Sequence, residues 1–185
     1  MDLTKFNKHV GSYFIKPSAD DFAALVRYSV TGEWFGHATF EALAAANEDP
    51  RAKAFWLKLA ALERITMRKL ESLVARHEIA LPDQSSFLAL GDLTATQFAD
   101  KPLDAYFAWV SPAVDPATTV FRQLLSLCDN EEDRETCIQL VMHEVAISLC
   151  CQLFSQGLDA ASVPIDDHLK RYSDNALGPD GTHLG

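Results

Sequence analysis

Residues 32–43 read GEWFGHATFEAL, and this stretch places a single carboxylate, Glu33, inside an otherwise apolar helical stripe. The stripe runs Phe22, Val26, Ser29, Glu33, Gly36, Phe40 and Leu43, in alternating steps of 4 and 3 that keep all seven on one helix face. A helix from about 19 to 46 follows. Ser18 and Asp21 resemble a capping box at its start. Gly36 on the same stripe lets a neighbouring helix or a ligand come close.

Outward from this stretch the pattern repeats twice. Asn47-Glu48-Asp49-Pro50 is a break and a restart, with Asp49 as N-cap and Pro50 as the first helical residue. The second helix, 50–77, buries Trp56, Leu59, Glu63, Thr66, Leu70 and Leu73, and the short connection makes the two helices an antiparallel hairpin. Further on, Asp129-Asn130-Glu131-Glu132-Asp133 supplies a turn and a negative first turn. The helix 131–156 then buries Cys137, Leu140, Glu144, Ile147, Cys151 and Phe154, with Gly157 as its stop. Each of these three helices therefore carries one glutamate in its inward stripe. A buried carboxylate is costly unless paired, protonated or bound to metal.

The remaining segments are less regular. Residues 1–17 read as an N-terminal arm ending at Pro17. Residues 78–101 read as a long connection with a short helix near 94–99. A helical piece spans 103–110, and Pro112 and Pro116 separate it from a third main helix over 116–128. That helix brings no acid to its apolar face. A short helical piece is expected at 166–172 and a flexible tail over 173–185, so that 18–172 form one helical domain.

Composition narrows the function. With 185 residues, 48% of them hydrophobic, the chain is long enough for a substantial core. The net charge of -10 disfavours nucleic-acid partners and anionic membranes. No uninterrupted apolar run reaches about 18 residues, and the N-terminus lacks a signal-peptide pattern. The expected compartment is the cytoplasm, and Cys128, Cys137, Cys150 and Cys151 are expected to be reduced and buried. A homodimer through a flat helix face is the expected assembly. No phosphate loop, HExxH or GxSxG motif is present.

GEWFGHATFEAL at 32–43, KLAALERITMRKL at 58–70 and MHEVAISLCCQLF at 142–154 together resemble the ferritin-like superfamily, in particular a group of bacterial ferritin-like proteins of unknown role. The resemblance covers roughly residues 20–160. It implies an all-α, ferritin-like four-helix bundle with one crossover, and a carboxylate-bridged centre with Glu33, Glu63 and Glu144 as metal ligands. Iron or manganese suits such oxygen-rich ligation. His37, four residues after Glu33, is a further candidate ligand, while His143 points about 100 degrees away from Glu144.

The family pattern places histidines three residues after the second and fourth glutamates. Here Thr66 and Ile147 stand at those positions, and the third helix has no glutamate, leaving three of the six expected ligands. Two functions follow. One is a non-catalytic binding or interaction module with an incomplete metal site. The other is an iron- or manganese-binding oxidoreductase of the carboxylate-bridged type. A pocket for a small hydrophobic ligand inside the bundle is a third reading.

Overall fold

The computed structural model describes residues 2–173, and among them all regular secondary structure is helical, with no strand. Seven α-helices follow in order: α1 (Leu3–Gly11), α2 (Phe22–Ala46), α3 (Pro50–Arg76), α4 (Gln84–Phe98), α5 (Leu103–Ser126), α6 (Glu131–Leu153) and α7 (Leu158–Ser173). A 3₁₀ turn, Phe154–Gln156, separates the last two, and Gly157 at φ 104 makes the break. Residues 174–185, most of the segment expected to be a tail, lie outside the described residues.

The local signals for α3 and α6 act as the sequence suggests, but the start of α2 differs: the helix begins at Phe22, and Asp21, not Ser18, caps it by accepting from Ala24 N–H. Asp49 accepts from Arg51 N–H, and Pro50 opens α3. Asn130 caps α6 by accepting from Asp133 N–H. The side chain of Asp133, almost fully buried, accepts from Arg76 and pairs with His77, which ties the end of α3 to the start of α6.

The N-terminal arm contains a capped helix, α1, whose Phe6 is fully buried against Phe98 and Trp109. Three expectations are corrected. The short helix near 94–99 is the end of a fifteen-residue helix, α4. The piece at 103–110 and the helix at 116–128 are one continuous helix, α5, with Pro112 and Pro116 inside it. Proline's fixed φ is helical, so the chain tolerates both residues by giving up backbone hydrogen bonds on an exposed face. The piece at 166–172 is the second half of α7.

In the packing, α2 lies along α3 and α4, α5 along α6, and α7 against α6 and α3. The contact between α2 and α5 is much less extensive than that between α2 and α3. Close approach of α2 and α4 depends on Gly91. A Cβ there would lie 2.6 Å from Ala38 Cβ and 2.9 Å from the Thr39 backbone nitrogen. Backbone cannot yield as a side-chain tip can, so Gly91→Ala should destabilise the fold by about 1–3 kcal/mol. Urea unfolding checks this, as a lower midpoint at unchanged slope.

The apolar core is in two parts. One holds Phe40, Trp56, Leu59, Tyr106, Phe107 and Ile147; the other holds Val26, Val30, Leu70, Leu73, Phe121 and Leu140. On α2, α3 and α6 the residues between the two parts are Glu33, Glu63, Thr66, His143 and Glu144, all buried. A polar layer therefore crosses the middle of the fold. The segment Glu131–Gln156 is long and apolar enough to cross a membrane by length and composition, with a mean hydropathy of 1.6 in its most apolar window, of which 44% is buried inside the fold. It also carries His143 and Glu144 of the polar layer.

Candidate metal centre

Glu33 projects from the middle of α2, Glu63 from the middle of α3, and His143 and Glu144 from the middle of α6. Ligand atoms of Glu33, Glu63 and His143 all lie within 4.8 Å of one another. His143 Nε2 is 3.8 Å from Glu33 Oε2 and 3.7 Å from Glu63 Oε2. Glu144 lines the same cavity and adds its charge to the cluster. Gly36 makes room for the Glu63 carboxylate: a Cβ at Gly36 would sit 2.9 Å from Glu63 Cδ and within 3.1 Å of both its oxygens.

Thr66 explains why the ring of His143 faces this way. His143 Nδ1 and Thr66 Oγ1 are 2.8 Å apart, and Thr66 Oγ1 donates to the Leu62 carbonyl at 3.2 Å. A hydroxyl that donates to Leu62 accepts from Nδ1–H, and in that tautomer the Nε2 lone pair points at the carboxylates. Nε2 of His143 and Oε2 of Glu33 are buried and have no hydrogen-bond partner. Metal-bound histidines are commonly held by an acceptor on the other ring nitrogen, most often a carboxylate, backbone carbonyl or water, and the Thr66 hydroxyl stands in that place here.

Burial dominates the electrostatics, and among the described residues no lysine or arginine forms an ion pair with these carboxylates. Burial, then the negative charge of Glu63, pushes Glu33 well above the ordinary carboxyl range. Burial raises Glu63 to about 7, although a hydrogen bond from Glu33 works against the rise. Burial and the charge of Glu63 raise Glu144 likewise. Burial lowers His143 to about 3, helped by His168, whose ring lies edge-on with centroids 6.0 Å apart. The hydroxyls of Tyr106 and Tyr28 are raised by burial and then by Glu63 and Glu144 respectively.

These observations fit a divalent ion. At metal–ligand distances of about 2.1 Å, opposite ligands stand about 4.2 Å apart, so the three side chains are within a small adjustment of closing on one ion. Three carboxylates and one imidazole form an oxygen-rich set that suits iron or manganese. They do not form the six-ligand set of a two-metal carboxylate centre. The residues present fit one ion better than two.

The four ligand candidates from the sequence fare differently. Glu33 and Glu63 come together with His143, and Glu144 lines the same cavity. His37 does not line the cavity and stands 3.5 Å from Glu41, one turn along α2. The imidazole at the centre belongs to His143 instead. Placing both His143 and Glu144 inward requires that α6 be buried on more than one side, and α5, α3 and α7 all pack on it. Thr66, which sequence spacing marks only as a missing histidine, holds the histidine that is present.

From this cluster a cavity of about 550 Å³ runs between α2 and α5, with α1 along one edge. Its walls include Phe14, Phe35, Phe40, Phe107 and Phe121, with the side chains of Tyr28 and Tyr106 among them. No family model matches this chain, and neither does any curated protein or solved structure.

Proposed function

We propose that this chain is a ferritin-like metal protein that binds one iron or manganese ion through Glu33, Glu63 and His143, with Glu144 completing the charge of the centre. The observation that carries the reading is the buried, unpartnered Nε2 of His143, held by Thr66 and directed at two buried carboxylates. The ferritin-like reading is supported by the tight α2–α3 connection, the long excursion through α4, and the short α5–α6 connection. When bound, such an ion supplies a redox couple and a Lewis-acid position. The chain's own groups would hold it, keep the imidazole in the right tautomer, and shield the site from bulk water.

A second reading is a non-catalytic binding module whose cluster stays metal-free. The carboxyl–carboxylate hydrogen bond between Glu33 and Glu63 favours it, because raised pKa values let the acids satisfy one another without an ion.

Elemental analysis of protein produced with iron and manganese separates the two. The metal reading expects about one ion per chain and its loss in Glu63→Ala. Thr66→Val should lower metal affinity by about 10–100-fold with the fold intact, because the hydroxyl that orients His143 is gone. Wild-type protein free of transition metal under these conditions supports the non-catalytic reading.

A further inference from the structure

We propose that the cavity between α2 and α5 is a binding site for an uncharged, mainly apolar small molecule, with the single polar end of that ligand set against the Glu33, Glu63 and His143 cluster. The inference rests on the metal reading only for what the polar end meets; the pocket itself follows from its walls.

Size and lining come first. At about 550 Å³ the cavity is in the size range of small-ligand sites, and it opens to solvent along α5, where Pro112, Ala113 and Pro116 are exposed. Its walls are chiefly aromatic and aliphatic, with convergent polar groups at one end, and this is the usual division between affinity and orientation. One of those polar groups, His143, is almost wholly buried and its Nε2 has no partner.

The helices also leave space they could have filled. On α2, Gly32 and Gly36 both line the cavity, one turn apart. Gly36 is accounted for by the Glu63 carboxylate, but a Cβ at Gly32 would meet nothing within 4 Å. Glycine in a helix interior weakens the helix relative to alanine, and no neighbouring atom requires it at Gly32. Across the cavity, α5 presents Pro112, Ala113, Pro116 and Ala117, again small or compact. Both walls keep the volume open.

Charge selects the ligand. No lysine or arginine lines the cavity, while three carboxyl groups do. An anionic ligand would find no fixed positive side chain there, and a divalent ion at the centre would not offset three ionised carboxylates. A cationic ligand would enter an apolar passage and compete with the ion for its ligands. An uncharged polar end, a hydroxyl or a carbonyl, avoids both penalties and can exchange hydrogen bonds with the cluster.

The test is calorimetric titration of 1-decanol, decanoate and decylamine into metal-loaded and metal-stripped protein, with metal content measured on each sample. The expected result is saturable binding of 1-decanol, with both charged analogues at least about tenfold weaker. In Gly32→Leu the new side chain projects into the cavity, and 1-decanol binding should fall by about tenfold or more, with helicity and metal content unchanged. Ala117→Phe fills the same space from α5 and should act alike. Absence of saturable 1-decanol binding in either metal state overturns the proposal. So does undiminished binding in both filled variants, or a charged analogue binding as tightly. Protein that takes up iron or manganese but does not bind 1-decanol refutes the pocket alone; protein that binds 1-decanol but takes up neither metal refutes the metal centre alone.

Discussion

In the metal-free protein, Glu63→Gln raises the unfolding free energy at pH 8 by on the order of 3 kcal/mol, and changes it little near pH 4. The folded-state pKa of Glu63 is raised from 4.5 to about 7 by burial. Between those two values the folded chain holds a proton that the unfolded chain has released. Stability therefore falls as pH rises from 4.5 through 7, and the loss is complete above 7. Glutamine keeps the shape and an acceptor for the Glu33 carboxyl but cannot ionise, so the falling limb shrinks. His143 and His168 act in the opposite sense. Their folded pKa values, about 3 and about 4, lie below the ordinary 6.5, so their burial destabilises in acid and ceases to do so as pH rises past 6.5. Urea unfolding at pH 4, 6 and 8 measures both limbs. Added manganese reverses the ranking at pH 8, because the ion binds the folded wild type and not the variant.

Gly36→Ala is the smallest change expected to dismantle the centre. The new Cβ would fall 2.9 Å from Glu63 Cδ, with both carboxylate oxygens also within 3.1 Å. The whole carboxylate, not just one oxygen, must move. Alanine is the better helix former by about 1 kcal/mol, so the fold itself should survive. Metal affinity should fall by about 100-fold, comparable with the upper end of losses seen when the support of a ligand is removed. Isothermal titration with manganese, alongside circular dichroism to confirm helicity, reads both quantities. Affinity equal to wild type would mean that Glu63 does not bind the ion in the orientation described.

Much of this was legible in the sequence, and the reasons are local. The inward stripes of α2, α3 and α6 can be read because each helix carries an apolar row in steps of 3 and 4, and α3 and α6 open on a clear cap: Asp49 with Pro50, and Asn130 before an acidic turn. The three glutamates could be picked out for the same reason. The course of α5 could not, since Pro112 and Pro116 are ordinarily breakers and only packing against α6 and α2 carries the helix through them. Most of α4 was also missed. Its short, mixed sequence has a weak periodicity, and Gly91 reads as punctuation until the close approach to α2 is known.

The site was half legible. A one-stripe view of α6 puts Glu144 inward and turns His143 away, but α6 is covered on several sides and both residues are buried. The same view gives His37 to the centre because it follows Glu33 by one turn, whereas its ring sits beside Glu41. Thr66 shows why ligand spacing alone misleads. The i+3 position after Glu63 does serve an imidazole, but one supplied by a helix 77 residues away in sequence.

Anaerobic titration of iron(II) or manganese(II) into wild type, His143→Ala and His37→Ala asks whether Glu33, Glu63 and His143 hold one metal ion. The expected result is stoichiometric binding to wild type, affinity lowered by about 100-fold or more in His143→Ala, and binding in His37→Ala indistinguishable from wild type. Absence of binding to wild type, or a loss in His37→Ala as large as that in His143→Ala, would contradict it.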